Sequence, residues 1–240
     1  MSTTQPSAEH EGPLSRPHAW RDLLIVGSPI VVMGGMGNLM GGSTLRGGAV
    51  INLGYVVMIV VGMKLLERQG SSWKDLGLQR PASWGKTILM GGAALIGALF
   101  LFVAAQNLAA AGFEALGLGP GALDQSRFNP IQGNLPLFAL MIVLSWTTIA
   151  FGEELFYRAF LISRMVDVTS IGSGPAIVIA GLVFGVVHFA EGPVGMLANA
   201  SFGIFFGWMY LRSHRNVWIT VIAHGLLNTL RFSLLFAGAV

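Results

Sequence analysis

From Trp20 onward the chain is a series of long apolar runs broken by short charged or polar stretches. Charge-free stretches extend from Leu23 to Leu45, Gly47 to Met63, Thr87 to Phe113, Phe128 to Gly152, Val168 to Ala190, Gly192 to Leu211 and Asn216 to Leu230. Most meet the length of about 20 residues that a helix needs to cross hydrocarbon. The fourth opens in a polar loop (Asn129, Pro130, Gln132, Gly133, Asn134, Pro136), so its spanning part starts near Leu135 and continues through the charges that follow Gly152. The pattern predicts an all-α, polytopic membrane helix bundle of about seven transmembrane helices, within a range of about six to eight. Residues 1–19 are polar, contain proline and lack an apolar core, so they read as a disordered cytoplasmic tail and not as a cleavable signal peptide. Residues 20–240 then form a single integral-membrane domain.

Composition supports the same solvent. Of 240 residues 53% are hydrophobic and only 10% charged, and the mean hydropathy is +0.68. That is too little charge to cover a water-soluble surface, which sets aside soluble and disordered classes. The net charge is only +3 and the basic residues are scattered, so nucleic acid is not an expected partner. Without cysteine there is no disulfide, thiolate ligand or cysteine nucleophile. The basic residues instead orient the chain. With seven spans and a cytoplasmic N-terminus, Arg16, Arg21, Lys64, Arg68, Lys74, Arg80, Lys86, Arg164, Arg212 and Arg215 lie inside, against Arg46 and Arg127 outside. This places the C-terminus outside. Arg231 is expected to snorkel to the outer interface, and Trp73 and Trp84 to sit at the inner one. Small residues spaced by four, at Gly37/Gly41, Gly181/Gly185 and Gly203/Gly207, favour close helix packing.

Only two acidic residues, Glu153 and Glu154, stand inside an otherwise embedded segment. A carboxylate there costs about 2.5 kcal/mol or more on insertion scales, so it is normally buried, paired and functional. Helical spacing puts Glu154 and Arg158 on one face for an ion pair, while Glu153 points about 100° away. One glutamate is thereby neutralised, and the other is free to act as a general base on water in a partly hydrated cavity. Two histidines, His188 and His224, also fall in spans, and Asn228 shares the face of His224. At about 1.5 Å of rise per residue, Glu153, His188, His224 and Asn228 lie roughly 14 to 21 Å from the inner ends of their helices. They therefore share one layer of the membrane.

Each residue also has a plainer use: a Glu–Arg pair can fix helix register, and a lone membrane His or Asn can be interhelical glue. Glu191, before Gly192-Pro193, reads as a solvated outer turn. Register needs neither a second, unpaired glutamate nor two histidines at its level, which favours a shared site. A proton-coupled transporter is the non-enzymatic rival, although paired broken helices in two related halves are not visible. There is no His-Glu-x-x-His, Gly-x-Ser-x-Gly, Walker A or Gly-x-Gly-x-x-Gly motif.

Glu153-Glu154-x-x-x-Arg158, Phe184-x-x-x-His188 and His224-x-x-x-Asn228, in this order on successive segments, resemble the signature of the CAAX protease and bacteriocin-processing (CPBP, or Abi) family of intramembrane endopeptidases. The resemblance covers about Leu135 to Leu230, the signature core, and Trp73-Lys74-Asp75-Leu76-Gly77-Leu78 is similar to a short segment common ahead of it. It implies peptide-bond hydrolysis within the membrane by an activated water. Glu153 is similar to the general base and His188 to the residue that holds the water with it. His224 and Asn228 resemble the oxyanion-stabilising pair, and Glu154, Arg158 and Phe184 the supporting residues. Zinc on Glu153, His188 and His224 stays open as an alternative to a metal-free, glutamate-dependent site. The implied partners are the lipid bilayer and a membrane-tethered or prenylated protein or peptide, cut near the cytoplasmic half of the bilayer. A non-catalytic scaffold or immunity protein on the same frame remains the other family reading.

Overall fold

The computed structural model describes residues 16–41, 45–119, 122–168 and 171–239. Among these residues the chain is helical, with no strand. Helix α1 (Arg16–Leu39) pairs with α2 (Leu45–Arg68), and α3 (Trp84–Ala115) packs on α8 (Gly192–Arg212) and α9 (Val217–Ala237). Between them runs one long interrupted helix. It comprises α4 (Leu135–Leu144), a π-helical turn (Ser145–Ile149), α5 (Ala150–Glu153), a second π-helical stretch (Glu154–Ile162) and α6 (Ser163–Val168). Helix α7 (Ser173–Val187) pairs with α8.

Among the described residues six helices are long and apolar enough to cross a membrane, and α7 is a shorter apolar helix. Helix α1 begins at Arg16, and Ala19 is fully buried. Residues 1–15 of the expected tail lie outside the described residues.

Local chemistry sets the helix ends. Ser83 caps α3 by accepting from the Lys86 N–H, and Asn134 caps α4 by accepting from the Leu137 N–H just before Pro136. Helix α7 ends at Val187 with His188 as its C-cap, three residues before Ala190, where its charge-free stretch ends. Its 15 residues reach only about 22 Å, so the turn into α8 lies below the end of the bundle. The segment before α4 folds over that turn: the Asp124 N–H donates to the Glu191 carbonyl, and Ser126–Ile131 forms a short 3₁₀ helix.

Close approach replaces the hydrophobic drive that lipid cannot supply. A methyl group on Gly203 would lie 2.8 Å from the Gly181 Cα, so α7 and α8 meet backbone to backbone. The loop after α2 is also packed. Trp73, expected at the interface, is buried instead: its indole donates to the Ile59 carbonyl (3.3 Å) and its ring lies 6.0 Å from Phe160. Leu76 accepts from the Tyr210 hydroxyl (2.8 Å), which fixes this loop to α8. Trp84 is exposed beside Trp218, as an interfacial residue would be.

Candidate active site

The two π-helical stretches frame the glutamate pair, with Glu153 closing the α-helical turn between them and Glu154 opening the second. A π turn adds a residue to the helical repeat and turns side chains away from the α-helical register, a distortion common at functional sites. Gly152 completes the local fit. A Cβ there would lie 2.9 Å from the Tyr55 Cβ, so the glycine lets α2 press against this segment. Gly225 does the same for α9, where a Cβ would come within 2.7 Å of the Trp146 ring.

These approaches bring five side chains together. Glu154 is fully buried and takes two partners: the Arg158 Nε at 3.1 Å from Oε2, and His224 Nδ1 at 2.8 Å from Oε1. The Arg158 pair is close but off the hydrogen-bond direction. The guanidinium is instead boxed by rings, with Cζ 4.6 Å from the Phe184 centroid and 5.5 Å from that of Phe206. Glu153 has a different environment. Its Oε1 accepts from the Tyr55 hydroxyl at 2.9 Å, while Oε2 has no hydrogen-bond partner and stands 3.7 Å from His224 Nε2.

Because a carboxylate paired with arginine accepts, His224 donates Nδ1–H to Glu154 and turns its Nε2 edge toward Glu153. His188 is fixed in the same way by a carbonyl. Its Nδ1 lies 2.7 Å from the Phe184 oxygen, so Nδ1 carries the proton and Nε2 is left as the free edge. Phe184 supplies the ring as well, 4.5 Å from His188.

Glu153, His188, His224 and Asn228 all line one cavity of about 1110 Å³. The rest of its wall is largely apolar, including Ile30, Leu99, Phe102 and Leu144. Asn228 lies one turn beyond His224 on α9, and its side chain makes no hydrogen bond to another described residue. Sequence reasoning missed Tyr55, because a tyrosine in an apolar helix looks interfacial until a glutamate is found opposite it.

Three expectations need correction. Glu191 is not a solvated turn: it is fully buried, with Oε1 accepting from Arg127 Nη2 (2.7 Å) and from Nη1 and Nη2 of Arg231 (3.1 Å each). Arg231 accordingly does not snorkel, and its Nε also donates to Gln125 (2.8 Å). The turn after the short α7 lies inside the bundle, where Glu191 needs these partners. The third concerns depth. The cavity is lined by residues 30–38 of α1, 48–56 of α2, Arg127 and Arg231, so it lies in the half of the bundle away from the basic helix ends at Arg68, Arg164 and Arg212, not in the half near them.

A metal fits poorly. Among the described residues no three His, Asp or Glu side chains are arranged to hold an ion, Glu153, His188 and His224 included. Glu154 and Phe184 each engage one imidazole nitrogen and leave its Nε2 free, and no step below passes through a metal.

Residues 135–230 match the family model of the type II CAAX prenyl endopeptidase, Rce1-like. The matched segment holds every residue of the three motifs. No curated protein and no solved structure matches the chain. The match places an Rce1-like segment within a multi-pass helical frame.

Proposed function

We propose that this Rce1-like segment is a peptidase that hydrolyses a peptide bond of a membrane-associated protein or peptide by water activated on Glu153. The observation that carries the reading is the division of labour between adjacent glutamates. Glu154 is spent on Arg158 and His224, whereas Glu153 keeps one oxygen unpartnered at the cavity wall, next to the His224 Nε2 edge. Without a substrate, an unsatisfied buried carboxylate oxygen only costs free energy.

In this mechanism a water donates to Glu153 Oε2 and is oriented by the free Nε2 edge of His188. Glu153 takes the proton as the water oxygen bonds to the scissile carbonyl carbon. The carbonyl oxygen gains the electron pair and accepts from Asn228 Nδ2–H and from the Nε2–H of a His224 protonated on both nitrogens. Collapse of the tetrahedral adduct breaks the C–N bond, and Glu153 returns its proton to the leaving nitrogen. Tyr55 holds Glu153 in place throughout.

The basic helix ends face the cytoplasm in the proposed orientation, with the N-terminus inside and the C-terminus outside. The cavity then opens in the outer half of the bilayer. This orientation favours a substrate threaded into, or anchored in, the outer leaflet. The test is direct: purified protein in liposomes is incubated with a membrane-tethered peptide, and the products are read by mass spectrometry. Two complementary fragments from the wild-type protein are expected, and an intact peptide rejects the reading.

A further inference from the structure

A second pocket, of about 550 Å³, lies at the end of the bundle where α3 begins, α8 ends and α9 begins, away from the cavity that holds Glu153. Its volume is in the range of small-molecule sites. Arg80, Lys86, Arg212 and His214 line it, and no described carboxylate does. None of these four side chains has an ion pair or hydrogen bond to a described residue. Two carboxylates at this end of the bundle are engaged elsewhere. Asp167 takes both Nη groups of Arg215 (2.6 and 2.7 Å), and Asp75 accepts from Ser71 and Ser72. The pocket is left with uncompensated positive charge, which attracts an anion.

Hydrogen bonds between its walls hold this pocket in shape. Asn216 Nδ2 donates to the buried Thr87 Oγ1 (3.0 Å), tying the start of α9 to α3. The Trp218 indole donates to the Gln79 carbonyl (3.1 Å), which fixes the strand of loop that carries Arg80. Between α8 and α9 the backbone turns through two left-handed residues, His214 (φ 55°) and Arg215 (φ 61°). In that turn His214 lines the pocket while Arg215 reaches Asp167.

The surface next to the pocket says which anion. Trp84 is exposed at its edge, 5.5 Å from the Trp218 ring, as suits the boundary of a bilayer. Beyond Lys86, α3 carries Leu89, Ile96 and Phe100 on one face, each 71–74% exposed. From Leu89 to Phe100 the helix rises about 16 Å, close to half of a hydrocarbon core about 30 Å thick. A cationic pocket thus continues into an apolar stripe one leaflet long, which matches a molecule with an anionic head and acyl tails. A free phosphate would use the pocket and leave the stripe bare.

We propose that Arg80, Lys86, Arg212 and His214 bind the phosphate of an anionic phospholipid whose acyl chains lie along Leu89, Ile96 and Phe100 of α3. In the orientation proposed above this is a lipid of the cytoplasmic leaflet. The inference does not rest on the peptidase reading, and its test needs no turnover. Native mass spectrometry of the detergent-solubilised protein, mixed with equal amounts of phosphatidylglycerol and phosphatidylcholine, reads which lipid is retained. Phosphatidylglycerol is expected to be retained about 10-fold more, the scale that two basic residues give at an anionic headgroup. Lys86→Gln with Arg212→Gln should bring the ratio close to one. Lys64→Gln with Arg68→Gln removes the same charge from the end of α2, outside the pocket, and should leave the ratio at its wild-type value. The ratio is taken within each variant, so partial unfolding cancels. Equal retention of the two lipids, a preference that survives the pocket variant, or an equal loss in the α2 variant overturns the proposal. So does displacement of phosphatidylglycerol by an equal concentration of inorganic phosphate, which would make a free ion the occupant.

Discussion

Glu153 and Glu154 are neighbours in the chain with opposite surroundings, and that contrast is the core of the account. Tyr55 donates the one hydrogen bond that Glu153 receives from the described residues. Tyr55→Phe keeps the ring and removes this bond, so kcat should fall about tenfold with KM within about twofold, as for loss of a hydrogen bond to a charged group. Unchanged kcat would mean that Tyr55 only fills space. Arg158 behaves differently, because it serves Glu154 and not the cavity. Arg158→Met leaves a buried carboxylate without its cation and should cost about 3 to 5 kcal/mol of stability, read from unfolding in detergent. The double variant with Glu154→Gln should lose less than the sum of the two single losses, and strict additivity would show that the pair is not coupled.

At the scale of elements, function depends on helices that are out of regular register or unusually close. Gly152 lets α2 touch the segment that carries the glutamates. Gly152→Ala should overpack that contact, destabilise by about 1 to 3 kcal/mol and lower kcat. The kcat loss should shrink in a Tyr55→Phe background if it acts through Tyr55, and it should persist in full if it does not. The sequence is most legible where hydrocarbon makes polarity costly. Glu153, Glu154, Arg158, His188, His224 and Asn228 stand out because a charge, imidazole or amide inside an apolar run needs a reason. The π-helical stretches are not legible, since Ser145–Ile149 and Glu154–Ile162 have no composition that marks an extra residue per turn. Glu191 was misread because Gly192-Pro193 resembles any surface turn, and its burial comes from a loop some 60 residues earlier in the chain, through Arg127.

For the whole molecule, the distribution of basic helix ends and the location of the cavity together make a claim about sidedness. The chain has no cysteine, so single cysteines can be introduced without background. In intact cells, Ser126→Cys, exposed between the cavity-lining Gln125 and Arg127, should react with a membrane-impermeant maleimide, and Ser72→Cys, in the loop after α2, should react only after permeabilisation. The reverse pattern would turn the cavity toward the cytoplasm. A count of six to eight spans could be read from the apolar runs, but not that α7 stops at Val187, because Val168 to Ala190 carries no charge to mark the stop. That early stop is what places His188 on the wall of the cavity.

Glu153→Gln and Glu154→Gln change one atom each in adjacent residues and should have unlike consequences. With purified proteins in liposomes and a tethered peptide, Glu153→Gln is expected to retain the wild-type unfolding midpoint and to lose about 100-fold or more in turnover, the scale of general-base catalysis. Glu154→Gln is expected to lower the midpoint. Wild-type turnover in Glu153→Gln would contradict the assignment of this carboxylate as the base.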